Sequence, residues 1–227
     1  MTRPKLGVLA KHKLSAARAA IEEDMRIVAL QPKSKAPDTR YCPKGADSAV
    51  RDIGVVREWL VDDPTINLGA VVKGSPVLVV DVDGPDGESA LERFGALPET
   101  RQTETRNGRH LYFRHNGDVS GSRIKFEPEL DIIASGYVLL PFSTHPDGGR
   151  YRAEEVKAPI AELPRKLSKA ISERSKSKKS VEGEGGDTIT KGRRNSRLTR
   201  IAGAIRRQGY GETVAFTILD AFNRKVV

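Results

Sequence analysis

Four apolar residues, Val77, Leu78, Val79 and Val80, run without interruption into Asp81-Val82-Asp83-Gly84. A short apolar run bounded by turn residues suits a strand covered on both faces, so the rest of the chain must supply a packed layer on each side. A carboxylate placed straight after such a run is costly unless a cation or hydrogen-bond donors meet it. Asp81 and Asp83 are two residues apart, so on a strand both point to one face, with Cα atoms about 6.6 Å apart. Two carboxylates on one face are hard oxygen ligands for Mg²⁺ or Mn²⁺. The alternative is a strand that simply runs out into an Asp-rich turn, DVDGPDG, with Asp86 and Gly87 opening the next helix.

Around this strand the pattern alternates. Residues 12–25 suit an amphipathic helix, 26–30 a short strand, and 31–43 a loop carrying Pro32, Pro37 and Pro43. A helical segment over 48–62 precedes strand-like INLGAVV, and a helix from about Glu88 to Phe94 follows the Asp-rich turn. The remainder is rich in strand-like runs, RHLYFRH, ELDIIAS and YVLLPFS, separated by Gly and Asp turn signals. The fold class is α+β, with a central mixed or antiparallel sheet flanked by helices.

Charge divides the chain. Residues 1–164 hold 23 basic and 24 acidic side chains, whereas residues 165–227 hold 16 basic and six acidic ones. Residues 172–189 are poor in large apolar side chains, which predicts a flexible linker after a domain spanning 1–171. Beyond it, over 190–227, RLTRIAGAIRRQG places Leu198, Ile201, Ala202 and Ile205 at helical spacing, and ETVAFTILDAFNRK gives a second helical pattern. This reads as a small basic helical domain, either whole or the front part of a longer one. Arg193, Arg194, Arg197, Arg200, Arg206 and Arg207 are its candidate contacts to a polyanion, unless they are solvated surface charge. The single cysteine, Cys42, excludes an intramolecular disulfide framework and a Cys-based zinc cluster. No apolar run approaches the roughly 20 residues of a membrane span, and the first residues lack the apolar stretch of a secretory signal. The expected location is therefore the cytoplasm.

Three further side chains stand out. Asp131 interrupts an apolar run between Leu130 and Ile132-Ile133; if its strand neighbours that of Asp81, three carboxylates converge, enough to hold two ions about 3.5 to 4 Å apart. On an edge strand it would only face solvent. His110 follows the turn RNGR and opens the strand HLYFR, where it can meet a phosphate together with Arg106 and Arg109, or serve as a packing residue. His145, in PFSTHPDGG, is a weaker candidate of the same kind.

Taken in order, DVD after an apolar strand, a glycine turn ending in His before an aromatic strand, and an apolar-flanked Asp in a third strand resemble the three motifs of the archaeo-eukaryotic primase superfamily. More narrowly, the chain resembles the prim-pol domain of bifunctional DNA primase/polymerases from phages and plasmids. The likeness extends to VALQPKSKAP, REWLVDDPTINLGAVV, LPETRQTETRNGRHLYF and SGYVLLPFSTHPDGGRY, and covers about residues 12–152. KGRRNSRLTRIAGAIRRQG resembles the helical domain that follows the catalytic domain in many such proteins. The sequence departs from the pattern at Gly108, where relatives often have Ser. It contains no G-x-x-x-x-G-K-[ST], so it carries no P-loop motor.

The resemblance implies that Asp81, Asp83 and Asp131 hold two divalent ions, Mg²⁺ or Mn²⁺ and no zinc, and that His110 meets the incoming nucleotide's phosphates. Lys35 and Lys125 are looser candidates for nucleotide or template contacts. The implied partners are single-stranded DNA template, nucleoside triphosphates and a replicative helicase, in trans or as a fused domain. The implied location is the host cell cytoplasm if the protein is phage-encoded. A metal-dependent nuclease and a non-catalytic DNA-binding replication module are the alternatives. A relaxase would need paired His ligands on one face, and His110 and His115 sit on opposite faces of a strand.

Overall fold

The computed structural model describes residues 5–117, 123–127 and 129–183, together with positions 211, 213, 214, 216, 217 and 220. The chain groups into two units, Met1–Lys176 and Ser177–Val227. The first contains helices α1 (Val8–Ile21), α2 (Ile53–Asp62) and α3 (Gly84–Glu92). Its strands are β1 (Arg26–Leu30), β2 (Asn67–Val71), β3 (Val77–Asp83), β4 (Gln102–Glu104), β5 (Gly108–Arg114), β6 (Arg123–Glu127), β7 (Leu130–Ile133), β8 (Tyr137–Leu139) and β9 (Ala161–Glu162). A fourth helix, α4, spans Arg165–Gly183.

The class is α+β, but the strands form two sheets where a single central one was expected. The first has the order β1-β2-β8 and the second β4-β5-β3-β7-β6, both antiparallel, with β9 added parallel to β5. The turn Lys73–Pro76 explains the split. Gly74 adopts φ 76°, and the Ser75 hydroxyl bonds both Val72 O and Val77 O, so β3 leaves β2 instead of pairing with it.

β3 is covered on both faces, as its composition demands. Leu78, Val80 and Val82 pack with Leu111, Phe113, Leu130 and Ile132, under Ala90 and Leu91 of α3 and Leu167 and Ile171 of α4. Val77 and Val79 join Tyr112 and Ile133 on the other face, against the small sheet, α1 and α2. Each such side chain contributes about 1.5 to 3 kcal/mol when fully buried. The two layers thus clamp β3 where its apolar run ends and its carboxylates begin.

Helix boundaries follow local chemistry. α2 begins at Ile53 and not near residue 48, because the Asp52 side chain accepts from the Gly54 and Val55 amides and Val50 is bridged to Ile27. α3 starts directly after β3, with Pro85 preset for the first turn, four residues before the expected Glu88. α4 runs through residues 172–183, the first part of the segment expected to be a flexible linker. Leu167 and Ile171 anchor its first turns in the core, and the Lys, Arg, Ser and Glu residues that follow propagate an existing helix. The arginine-rich helix expected over 194–207 lies outside the described residues, as do Arg193 to Arg207 themselves. Thr213, Val214, Phe216, Thr217 and Asp220, in the second expected pattern, are helical. Among the described residues no helix is long and apolar enough to cross a membrane.

A charged clasp stabilises the front of the fold. Asp63 accepts from the Thr65 amide at 2.9 Å and from Arg40 Nη2 at 2.8 Å. The Thr65 hydroxyl and Arg40 hold its carboxyl down to about 2. Because this lies below the ordinary carboxylate value, the contribution is full above about pH 4 and fades as the pH falls through 2. Asp63→Asn should therefore lower the melting temperature at pH 7 by about 3 °C, and the gap to wild type should close near pH 2. Melting curves over that range check the sign.

Candidate active site

The register of the larger sheet aligns its polar residues. Thr103 of β4 pairs with His110 of β5, His110 with Asp81 of β3, Asp81 with Asp131 of β7, and Asp131 with Lys125 of β6. Directly paired residues share a face, so these five form one row across five strands. Asp83, two residues beyond Asp81, lies on the same face. The neighbouring row, Tyr112, Val79 and Ile133, is apolar and belongs to the core. The polar row therefore sits at the rim of that core.

Burial falls along the row. Thr103, His110 and Asp81 are buried, Asp131 is half-buried and Lys125 exposed. The row opens into a cleft of about 480 Å³ lined by Asp83, Asp131, Lys125, Glu127, Glu129 and Arg174. Burial pushes the Asp83 carboxyl above its ordinary value and the negative charge of Asp81 pushes it further, while His110 and Lys35 pull it down. Carboxylates held side by side in this way repel one another and favour a cation between them.

His110 is the most informative side chain. Its Nε2 lies 3.3 Å from Asp81 Oδ1. Among the described residues its Nδ1 is the one buried side-chain nitrogen or oxygen without a hydrogen-bond partner. If the Nε2 that faces Asp81 carries the hydrogen, neutral His110 presents a lone pair at Nδ1; protonated, it presents a donor. Either state leaves a polar group that costs about 1 to 3 kcal/mol unless a ligand meets it. The His110 ring lies against Tyr151, at 5.8 Å between centroids, and Tyr151 against His145, at 6.1 Å. Burial first, then Asp81 and Asp83, push the Tyr151 hydroxyl up to about 12. Arg106, in the turn before β5, is half-exposed and pairs with Asp147 at 3.5 Å.

Arg109 is a correction. It follows β5's alternation onto the opposite face from His110, where its Nε and Nη2 each donate at 2.8 Å to the Glu88 carboxylate of α3. It lies away from the row and is not placed to share a phosphate with His110. Arg109→Ala should leave nucleotide affinity within about twofold of wild type and cost no more than about 1 kcal/mol of stability, since the ion pair is partly exposed. A binding titration and a melt check both halves.

Lys35 and Lys125, the looser candidates for nucleotide or template contacts, both stand near the acids, Lys35 acting on Asp83 and Lys125 in the row itself. Thr103, Tyr151, Glu129 and Arg174 were not singled out from sequence. Among the described residues, no group of three or more His, Cys, Asp and Glu side chains stands close enough to hold a metal ion. Asp81 and Asp131 stand in the row and Asp83 two residues beyond it along β3, so the three carboxylates are spread over the sheet and not gathered around a point. The donor set still fits a hard divalent cation: carboxylate oxygens, held beside one another with the Asp83 carboxyl pushed up by its acidic neighbour.

Acids, an imidazole and a cation in one row on an α+β body are the side chains of phosphate chemistry. Residues 17–166 match the family model for bifunctional DNA primase/polymerase, N-terminal, more than half of the chain, which belongs to that family. Membership implies a nucleotidyltransferase-type primase or polymerase of DNA replication. No curated protein matches the chain.

Proposed function

We propose that this chain makes primers on single-stranded DNA by template-directed nucleotidyl transfer from nucleoside triphosphates, in phage or plasmid replication, on an archaeo-eukaryotic primase-like fold. The observation that carries the reading is the cross-strand alignment of Asp81 with Asp131 on one side and His110 on the other. Asp81, Asp83 and Asp131 would hold two Mg²⁺ or Mn²⁺ ions. When bound, such ions lower the pKa of a 3′-hydroxyl and neutralise charge on a triphosphate.

The chain's own residues do the rest. His110, buried and held by Asp81 at Nε2, offers its unpartnered Nδ1 as a fixed contact for a phosphate oxygen once protonated. Lys35 and Lys125 flank the acids, so an incoming polyanion is drawn toward the row without neutralising it. Arg106, at the turn that abuts the end of β3, supplies a further cation. The layers packed on β3 keep these groups in place during reaction, which is where most of the rate of phosphate chemistry originates. The basic residues Arg193, Arg194, Arg197, Arg200, Arg206 and Arg207 would grip template phosphates, with a helicase opening the duplex in the host cell cytoplasm.

The test is incubation of the 227-residue chain with unprimed single-stranded template, labelled nucleoside triphosphates and Mg²⁺ or Mn²⁺. Short labelled oligonucleotides are expected. Release of nucleotides from the template without triphosphate consumption would mark a nuclease instead, and template binding with neither product a non-catalytic module.

A further inference from the structure

The three-stranded sheet ends beside the polar row, and one buried amide ties its loops together there. Asn67 opens β2, opposite Leu30 at the end of β1, and is fully buried. Its Nδ2 donates to Ser34 O at 3.0 Å and to Thr144 O at 2.7 Å, and its Oδ1 accepts from the Thr144 amide at 2.8 Å. One side chain thus fastens the loop after β1 to the hairpin that carries His145. A second bond falls one residue along: the Tyr137 hydroxyl donates to Lys35 O at 2.7 Å. Tyr137 reaches that carbonyl by lying over Gly69, where any Cβ would come within 3.2 Å of its ring.

Two consecutive carbonyls, of Ser34 and Lys35, are therefore held by side chains from β2 and β8. The residue so fixed is exposed, and the hairpin to which its loop is fastened carries His145, whose ring lies 6.1 Å from Tyr151, itself 5.8 Å from His110 of the row. An exposed lysine of no consequence needs no such anchoring; an ammonium that must stand at a set place beside the row does.

We infer that Asn67 is a positioning residue for nucleotide binding: with Tyr137 it fixes the Lys35 loop so that Lys35 meets the triphosphate. This rests on the primase reading of the row. Asn67 touches no substrate and acts only through Lys35. Lys35→Ala should weaken binding of a nucleoside triphosphate about 10- to 30-fold, the value of a charge-assisted contact. Asn67→Ser should weaken it about tenfold. Tyr137→Phe, which removes one partly exposed hydroxyl and leaves the ring in place, should weaken it about threefold with little change in melting temperature.

The decisive comparison is made in the Lys35→Ala background. There neither Asn67→Ser nor Tyr137→Phe should add more than about twofold, because the group they position is gone. The experiment titrates the full chain with fluorescent ATP and dATP in Mg²⁺, for wild type, the three single variants and the two doubles, with a melt of each. Wild-type affinity in folded Tyr137→Phe would overturn the inference. So would undiminished losses in the Lys35→Ala background, which would mark Asn67 and Tyr137 as structural. If Asn67→Ser does not fold, Tyr137→Phe and its double carry the test. If wild type binds neither nucleotide, the primase reading fails and this inference with it; if it binds and the variants match it, only the inference falls.

Discussion

Asp81→Asn should reduce primer synthesis by about 10³-fold or more, while the protein stays folded and its melting temperature holds or rises. A carboxylate that holds a catalytic cation contributes several kcal/mol to the transition state, and each 1.36 kcal/mol is tenfold in rate. Asn keeps the shape and can still accept from His110 Nε2, now 3.3 Å from Asp81 Oδ1, so the packing around β3 survives. What it removes is one of the negative charges that push the neighbouring Asp83 carboxyl upward. Relief of that repulsion is why stability should not fall, the pattern expected where a site has been kept strained for function. The measurement pairs incorporation of labelled nucleotide with a thermal melt. Incorporation at near wild-type rates would remove the row from the chemistry, and a fall in melting temperature of many degrees would mean that Asp81 is structural.

The same residue shows what a sequence makes legible. β3 announces itself through four consecutive apolar side chains, and parity alone puts Asp81 and Asp83 on one face. Parity also places Arg109 opposite to His110, by the same rule that puts the two aspartates together. The partners of β3 are another matter. Asp131 is 50 residues beyond Asp81, and nothing in LDII states that its strand lies against β3 instead of at an edge. Strand pairing is a non-local property, decided by how layers cover each other, and only motif order hinted at it. The separation into two sheets escaped for a similar reason, since it depends on the turn at Gly74 and Ser75.

Other features were silent because their signals are weak. β4, with the sequence QTE, and β9, with AE, are too short for periodicity to show. Asn67 looks like an ordinary polar residue before a strand, and its role emerges only when three loops converge on it. The linker expected from residue 172 rested on the shortage of large apolar side chains. Composition of that kind argues against a core, yet a helix anchored at Leu167 and Ile171 can propagate into such a stretch.

Gly108→Ser carries the second large expected effect, and it tests the geometry of the row from its backbone. Gly108 faces Asp83 where β5 begins, and the chains approach so closely that a Cβ there would lie 1.9 Å from Val82 O and 2.9 Å from Val82 C. Backbone atoms cannot swing aside as the tip of a side chain can. A serine must therefore push β5 from β3, or break the first pairs of the register. The cost should be about 3 kcal/mol, at the upper end of overpacking, and the melting temperature should fall by about 9 °C. The functional loss should exceed what stability explains, because the same strand pair seats His110 against Asp81 two residues along. At a temperature where the variant is still folded, primer synthesis is expected to drop by about tenfold or more, about 1.4 kcal/mol in the barrier. Arg109→Ala is the matched control: it lies next along β5, faces away from the row and should leave synthesis intact. An unchanged melt for Gly108→Ser would mean that β3 and β5 lie farther apart than their register indicates. A lowered melt with full synthesis in the folded fraction would mean that the contact of His110 with Asp81 is dispensable.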